Sequence, residues 1–257
     1  MNTKPIKAAC CNVDNEAYWK SVYPFGTIEW DKAIIEDDTI EKAFCKNSFI
    51  LFQAQNGRFS LLRLDPEASA VQTESVALEV FWNPFVYLPV FLDLKQFIDE
   101  QEYGEIDSGT IRFACNTSPK EMIHIYVLCR WLFGEPEDIS VSMSSAKDCM
   151  SRHNIVYKDF SIEILCNAEK EAGKGRSGEI WFAEAKVLFT FFDSPFLQVL
   201  PKKGRSYYRV LPEGGAELYA FQDAYELTAT GRSNPVLSRE IVKRGLAILR
   251  TVEYLYL

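Results

Sequence analysis

The sequence has 257 residues, of which 47% are hydrophobic and 25% charged, values typical of a globular protein with one large core or two modest ones. The net charge is −8 and no Lys- or Arg-rich run occurs, which argues against nucleic acid and anionic membrane surfaces as partners. No apolar stretch reaches the about 18 residues that a membrane-spanning helix needs. The first residues lack the apolar core of a secretory signal, so a cytoplasmic protein is expected.

The seven cysteines are an odd number, with neither a CxxC pair nor a spacing to histidine that is typical of zinc sites. We therefore expect no metal centre and no disulfide framework. Buried thiols in a reducing compartment are the simplest interpretation of this cysteine usage.

Residues 4–11 are apolar and run into a polar segment, as a first strand followed by a loop does. In a dinucleotide-binding domain, a glycine-rich turn after this strand lets the backbone approach the pyrophosphate at a helix N-terminus. Here Gly26 is the first glycine of the sequence, and Asp14 and Glu16 carry charge that repels phosphate. We therefore expect no NAD or NADP to be bound in the usual way.

The following segments are assigned from hydrophobic periodicity and turn residues. One amphipathic helix, or two short ones, is predicted over residues 30–45. Runs of strand-forming residues predict strands over 48–54, 59–64 and 76–81. An Asn-Pro pair in the segment Trp82–Phe85 indicates a turn.

The strongest helix signal of the chain covers residues 122–133. Met122, Ile125 and Cys129 recur at three- and four-residue steps, which places them on one face of a helix. Gly134 ends the helix because glycine takes the left-handed conformation without steric cost, and Pro136 cannot continue it. Alternating Ile, Val and Met predict a strand over residues 139–143.

The same criteria predict the other elements of the second half. Strands are predicted over 109–115, 154–166 and 179–192, and helices over 92–100, over 216–230 and from Ser238 onward. The Gly-Lys-Gly within residues 171–178 lacks the Walker spacing, so we interpret it as a hairpin loop rather than a phosphate cradle. The basic segment 201–209 is predicted as a solvated loop, with binding of an acidic group as the alternative.

The segment His124–Glu137 reads HIYVLCRWLFGEPE and resembles the signature helix of the Gfo/Idh/MocA oxidoreductases. Trp82–Phe85 is similar to the Asn-Tyr-Arg-Phe loop of that family, and Gly104–Ile106 to the entry into its C-terminal domain. The two closing helices, joined by GRSNPV, also resemble those of the family. The resemblance is continuous from about residue 82, whereas the first eighty residues match only in the order of their elements.

This resemblance implies a fold of the α/β plus α+β class. A truncated Rossmann-like domain is expected over residues 1–80. A C-terminal α+β domain is expected over residues 81–257, with an open, largely antiparallel sheet packed on helices. In the family this sheet often packs against that of a second subunit, so a homodimer is expected.

In the family, a histidine six residues before an Arg-Trp pair faces the cofactor and the substrate, and His124 holds this place. The resemblance implies that His124 is a general acid or base with Lys120 as its electrostatic partner. Lys120 stands where the family carries an aspartate, and Val127 stands where an acid is common. From periodicity alone, the alternative is an inert, hydrogen-bonded histidine near the helix N-terminus.

The resemblance implies further substrate-binding side chains at Asn83, Tyr87 and Arg130. For Asn83 a role in a simple turn is the alternative. The Glu-Lys-Pro motif of the family corresponds to Leu64-Asp65-Pro66, so its catalytic lysine has no counterpart here. A cation supplied by Arg63 or Lys42 is the alternative.

Three hypotheses for the function remain open. The first is a catalytically degenerate family member that keeps a cleft for a small polar, sugar-like ligand and a sheet face for oligomerisation. The second is an active NAD- or NADP-dependent oxidoreductase of an alcohol or carbonyl substrate, with an altered cofactor loop. The third is a structural dimer module without a ligand.

Overall fold

The computed structural model of the protein describes residues 6–11, 13, 16–22, 28–32, 48–54, 59–64, 78–114, 119–143, 150–167, 176–192, 194–213, 215–232 and 234–255. The chain divides into two compact units, Met1–Pro84 with Ala216–Lys243, and Phe85–Gly215 with Arg244–Leu257. No described helix is both long and apolar enough to cross a membrane.

The first unit is built on a five-stranded sheet of order β2-β1-β3-β4-β5. Its strands are β1 (Ile6–Cys11), β2 (Ile28–Trp30), β3 (Phe49–Gln53), β4 (Phe59–Arg63) and β5 (Leu78–Phe81). The pairs β1–β2 and β4–β5 are parallel, whereas β3 runs antiparallel to both β1 and β4. The first sheet is therefore mixed, with only two parallel pairs of the Rossmann kind.

Within the residues of this unit that the structure describes, two complete helices are present, α1 (Glu16–Val22) and α4 (Ala216–Thr230). Helix α4 covers the sheet: the ring of Phe221 meets that of Phe52 edge-on at 4.9 Å, and Ser60 Oγ donates a hydrogen bond to the Ala224 carbonyl at 2.9 Å. These contacts explain why residues 216–243 group with the first unit. The division therefore differs from the predicted continuous second domain 81–257.

The second unit is built on an eight-stranded sheet of order β13-β12-β11-β10-β6-β9-β8-β7. Its strands are β6 (Ile106–Phe113), β7 (Asp138–Met143), β8 (Met150–Val156), β9 (Ser161–Asn167), β10 (Ser177–Phe182), β11 (Ala185–Thr190), β12 (Phe196–Pro201) and β13 (Tyr207–Val210). Only the β6–β9 pair is parallel, so the predicted open, largely antiparallel sheet is confirmed.

Helices α2 (Pro89–Glu100) and α3 (Pro119–Phe133) pack on one face of this sheet. Helix α3 begins with a proline, which suits the first helical position because no partner for its missing N–H is needed there. Gly134 ends α3 at φ +91°, and its N–H reaches the Arg130 carbonyl at 3.1 Å. The predicted helix and its glycine stop are thus confirmed.

Helix α5 (Arg239–Leu255) follows the GRSNPV linker and runs from the first unit into the second. Ser238 precedes it, and its Oγ lies 3.5 Å from the Ile241 N–H as a helix N-cap does. Both closing helices are therefore where the sequence predicts them.

Three predicted elements differ from the structure. The predicted strand 154–166 is two strands, β8 and β9, joined at a turn in which the Tyr157 N–H bonds the Phe160 carbonyl at 2.9 Å. The predicted strand 179–192 is likewise the hairpin of β10 and β11. The end of the predicted basic loop forms β13. Most of the predicted helix 30–45 and of the loop 171–178, with Lys42 and the segment 65–66, lies outside the described residues.

Candidate functional site

Helix α3 carries both residues to which the sequence assigns catalysis. His124 lies on its second turn and is half-buried. Lys120 lies one turn earlier, and its side chain is outside the part of the chain that the structure describes. The two positions are four residues apart on one helix, so they share a helix face. A role for this pair stays a prediction.

Asn83 and Tyr87 lie in the segment between β5 and α2. Each side chain is only 1% exposed, so each is enclosed by protein. Asn83 belongs to the first unit and Tyr87 to the second. Their assignment to substrate binding stays a prediction.

Arg130, the third predicted substrate-binding residue, is engaged in an ion-pair network. Its Nη2 lies 2.6 Å from Glu135 Oε2, and Nη1 of Arg244 on α5 lies 2.9 Å from the same oxygen. The Arg130 side chain is 14% exposed, so most of it is withdrawn from water. A ligand would have to compete with Glu135 for this guanidinium group.

A cavity of about 470 Å³ lies beside this network. Its walls combine three carboxylates, one guanidinium group and an apolar floor, contributed by Glu135, Pro136, Glu137, Asp138, Ile139, Arg244, Ala247 and Ile248. Neither His124 nor Lys120 lines it. No group of three or more metal-ligating side chains occurs in the described ranges.

The second histidine of the chain, His153, is a buried residue that the sequence analysis missed. Its Nδ1 lies 2.7 Å from the Tyr126 hydroxyl on α3, and its Nε2 lies 2.8 Å from Ser151 Oγ on β8. Burial lowers the pKa of His153 to about 4, so the imidazole is neutral at ordinary pH. The period-two alternation of buried Ser151, His153 and Ile155 is the signal that could have placed it on the inner face.

Arg63, considered as an alternative source of a cation, is held by a carboxylate of the neighbouring strand. Its Nε and Nη2 lie 3.0 and 2.7 Å from Glu79 Oε1. The Arg63 side chain is 2% exposed and that of Glu79 is 9% exposed. Nε of Arg239 lies 3.8 Å from the other oxygen of Glu79. These contacts bury the charge of Arg63 within the first unit.

The segment between β1 and α1 lacks the glycine-rich turn that usually receives the diphosphate of a dinucleotide. Residues 12–15 contain no glycine, and helix α1 has only seven residues. Its first turn presents Glu16, which pairs with Lys20 at 2.6 Å and with Lys32 at 3.8 Å. Lys20 and Lys32 favour the ionised form of Glu16 and lower its pKa, and their positive charges offset that of the carboxylate. The sequence of this segment therefore departs from the usual glycine-rich cofactor cradle.

Comparison with solved structures identifies the architecture. An oxidoreductase from Agrobacterium radiobacter, in complex with NAD+, L-tartaric acid and magnesium, superimposes with a TM-score of 0.56 at 11% identity over 68% of this chain and 61% of that one. An oxidoreductase from Sinorhizobium meliloti gives 0.54 at 16% identity, covering 69% and 62%. UDP-N-acetylglucosamine 3-dehydrogenase from Acidithiobacillus ferrooxidans gives 0.50 at 17% identity, covering 61% and 55%.

The chain has the fold of the Gfo/Idh/MocA-type oxidoreductases. This confirms the fold that the signature helix implied. The chain spans about three fifths of the length of the first solved structures it matches. No family model and no curated protein matches the sequence.

Proposed function

We propose that this protein is a catalytically degenerate version of the Gfo/Idh/MocA oxidoreductase fold. In this proposal it binds a small polar, sugar-like ligand without NAD or NADP, and it pairs with a second copy through the outer face of the eight-stranded sheet. The observation that carries the proposal is the segment between β1 and α1, which contains no glycine.

The directions of the strands support the loss of the cofactor site. In doubly wound sheets, a dinucleotide binds in the crevice outside the carboxyl ends of parallel strands, where the strand order reverses. Here β3 is the neighbour of β1 and runs antiparallel to it, so the carboxyl ends of these strands lie at opposite edges. This arrangement supports the proposal that no dinucleotide binds in a crevice between β1 and β3.

The environment of Val127 supports the loss of acid–base chemistry. Val127 is 1% exposed, and helix α5 approaches it so closely that a Cβ at Gly245 would lie 2.5 Å from Val127 Cγ2. An acid at this place would be buried without a partner among these apolar contacts, which is energetically costly. The place that is commonly acidic in the family is thus adapted to packing.

The sugar-like ligand is carried over from the compared structures. One of them acts on a nucleotide-linked amino sugar and another holds L-tartaric acid, so both accommodate compounds rich in hydroxyl groups. His124 and Lys120 are the side chains to which we assign the ligand here. The cavity beside Glu135 is a separate feature of the second unit, because neither residue lines it.

A cofactor titration tests the proposal. At 1 mM NADH or NADPH, a site with a dissociation constant of about 10 µM would stabilise the native state by about 2.7 kcal/mol, which a melting curve detects easily. We expect no shift in melting temperature and no change in nicotinamide fluorescence. The Agrobacterium radiobacter oxidoreductase, crystallised with NAD+, is the positive control. A micromolar response would instead support the active oxidoreductase.

A sugar and sugar-acid screen then separates a ligand-binding protein from a purely structural module. We expect at least one compound to raise the melting temperature of the wild type and to lose this effect in His124→Ala or Lys120→Ala. His153→Gln is the matched imidazole control, because His153 is buried on the sheet side of α3. Equal shifts in melting temperature for the wild type and both α3 variants would contradict the assignment of the ligand to His124 and Lys120.

Dimer formation is supported by the exposed apolar residues of the outer sheet face. The strand registers place Trp181, Leu200, Phe196, Tyr208 and Val210 on this face. Trp181, Tyr208 and Val210 are 44%, 58% and 69% exposed. Such a group of large apolar side chains marks an interaction surface.

The size of the face also suits a dimer. Eight strands, about 4.8 Å apart and each about six residues long, make a face of roughly 750 Å². A standard protein interface takes about 800 Å² from each partner. A second copy of the sheet therefore has the size needed to cover this one.

A charge placed in this face should dissociate the dimer. We expect light scattering to give twice the 29.4 kDa chain mass for the wild type and the single mass for Trp181→Glu/Val210→Glu. In a dimer of this variant, each copy would bury two glutamate carboxylates in the interface. The free energy of desolvating them would exceed the free energy gained from the apolar contacts between the sheets. Tyr219→Glu, at an exposed aromatic residue of α4, is the matched control and should stay dimeric. A monomeric wild type, or a dimeric double variant, would contradict the proposal.

The cytoplasm is the compartment we propose. Cys10, Cys129 and Cys166 carry thiols, and burial raises the pKa of the Cys129 thiol to about 12. Buried thiols of this kind are usual in reducing compartments.

A further inference from the structure

A buried hydrogen-bond chain connects helix α3 to the sheet. It runs from the Tyr126 hydroxyl to His153 Nδ1 and from His153 Nε2 to Ser151 Oγ. Tyr126 and Ser151 are fully buried and His153 is 2% exposed. Both ring nitrogens have a partner in the neutral form, whichever of them carries the proton.

The groups around the imidazole that the structure describes carry no charge. Its neighbours in register are Val141 on β7 and Ile164 on β9, and Tyr126 meets its ring edge-on at 5.8 Å. Among the described residues, the titratable groups on the inner face include the Cys166 thiol, opposite Ser151 on β9, which points to Met122 Sδ at 3.7 Å. They also include the buried Tyr157 hydroxyl, which donates to the Cys129 carbonyl on α3 at 3.4 Å. No counter-ion among the described residues is placed to stabilise a protonated His153.

The consequence for pH dependence has a definite sign. The pKa of His153 is about 4 in the folded protein because of burial, and 6.5 when the ring is in water. Above pH 6.5 the imidazole is unprotonated whether α3 is packed on β8 or released, so the packed state keeps its full stability. Between pH 6.5 and about 4 only the opened state is protonated, so each pH unit favours opening by about tenfold.

We propose that His153 is an acid-sensitive latch that holds helix α3 on strand β8 at neutral pH and releases it as the pH falls. Because α3 carries His124 and Lys120, release would also displace the candidate ligand site. That second step rests on the proposed function, whereas the latch itself does not.

Hydrogen exchange of the α3 amides between pH 7 and pH 5 tests the latch without any ligand. After correction for intrinsic exchange, we expect the opening constant of residues 122–133 to rise about tenfold per pH unit below pH 6. The glutamine of His153→Gln keeps a donor and an acceptor but does not titrate. In this variant the opening constant of residues 122–133 should change less than threefold between pH 7 and pH 5. His124→Gln, which removes the only other imidazole, should behave as the wild type.

Three outcomes of the hydrogen-exchange experiment would overturn the latch. One is α3 protection that is independent of pH in the wild type, and another is an equal loss of protection in His153→Gln. The third is an equal loss in β10 to β12, which would indicate global unfolding rather than release of α3. Imidazole NMR of the wild type, assigned with His124→Gln, provides a second measurement without a substitution at His153. Protonation of His153 above pH 6 with α3 still protected would also contradict the proposal.

Discussion

Gly245→Ala should destabilise the protein by about 2 kcal/mol, although alanine is the better helix former. In an unobstructed helix this exchange would stabilise by about 1 kcal/mol. In α5, however, the new Cβ would lie 2.5 Å from Val127 Cγ2, 2.9 Å from its Cα and 3.1 Å from its N. Because two of these atoms are backbone, a change of side-chain rotamer cannot relieve the overlap. One helix must move, and overpacking of this kind typically costs about 1–3 kcal/mol or more.

Urea or thermal unfolding of three variants checks this result. Gly245→Ala/Val127→Ala removes the closest methyl group but keeps the backbone overlap, so it should recover part of the loss through a coupling energy above about 0.5 kcal/mol. Ala247→Gly, at an exposed position of the same helix, should lose only the about 1 kcal/mol expected from helix propensity. A Gly245→Ala variant more stable than the wild type would refute the close approach of α5 to Val127.

The elements that the sequence predicts best are those whose signals are local. Helix α3 combines an apolar stripe with Gly134, whose positive φ the structure confirms. The strands near residues 6, 49 and 59 and the helices α4 and α5 are also set by short patterns. In each case, a few neighbouring residues contain both the periodicity and the stop signal.

The two hairpins within single predicted strands lack such a stop signal. The β8–β9 turn uses Lys158 and Asp159, and the β10–β11 turn uses Ala183 and Glu184. Neither turn contains the glycine or proline that marks most short turns. Because the inner-face residues on both sides of each turn are apolar, the pattern resembles one long strand.

The polar contacts could not be predicted, because each joins residues that are distant in sequence. Tyr126 and His153 are 27 residues apart, and Arg244 and Glu135 are 109 apart. The resemblance therefore assigns Arg130 to a substrate, because nothing local in the sequence indicates that Glu135 binds it. The direction of β3 in the first sheet is similarly a property of the fold rather than of its own residues.

Removal of the Glu79 charge should produce the largest loss of stability. Glu79→Gln removes the carboxylate that binds the guanidinium group of Arg63, which is only 2% exposed. Breaking a buried ion pair from one side typically costs about 3–5 kcal/mol, because one charge stays buried and uncompensated. We therefore expect a loss of that size in the free energy of unfolding, measured in urea at pH 7. The surface pair of Asp93 and Arg209, whose arginine is 60% exposed, is the control, and Asp93→Asn should cost less than about 1 kcal/mol.

The double variant Arg63→Met/Glu79→Leu distinguishes the energy of the pair from the penalty of the orphaned charge. Apolar residues of similar volume avoid the desolvation of both ions, so replacing a buried pair in this way is often neutral or stabilising. We expect this variant to lie within about 1 kcal/mol of the wild type, well above Glu79→Gln. The Arg239 side chain, 3.8 Å from Glu79 and 34% exposed, can turn to water when the carboxylate is lost. A double variant as unstable as Glu79→Gln would show that the loss comes from removing the ion pair between β4 and β5, rather than from the burial of a lone charge.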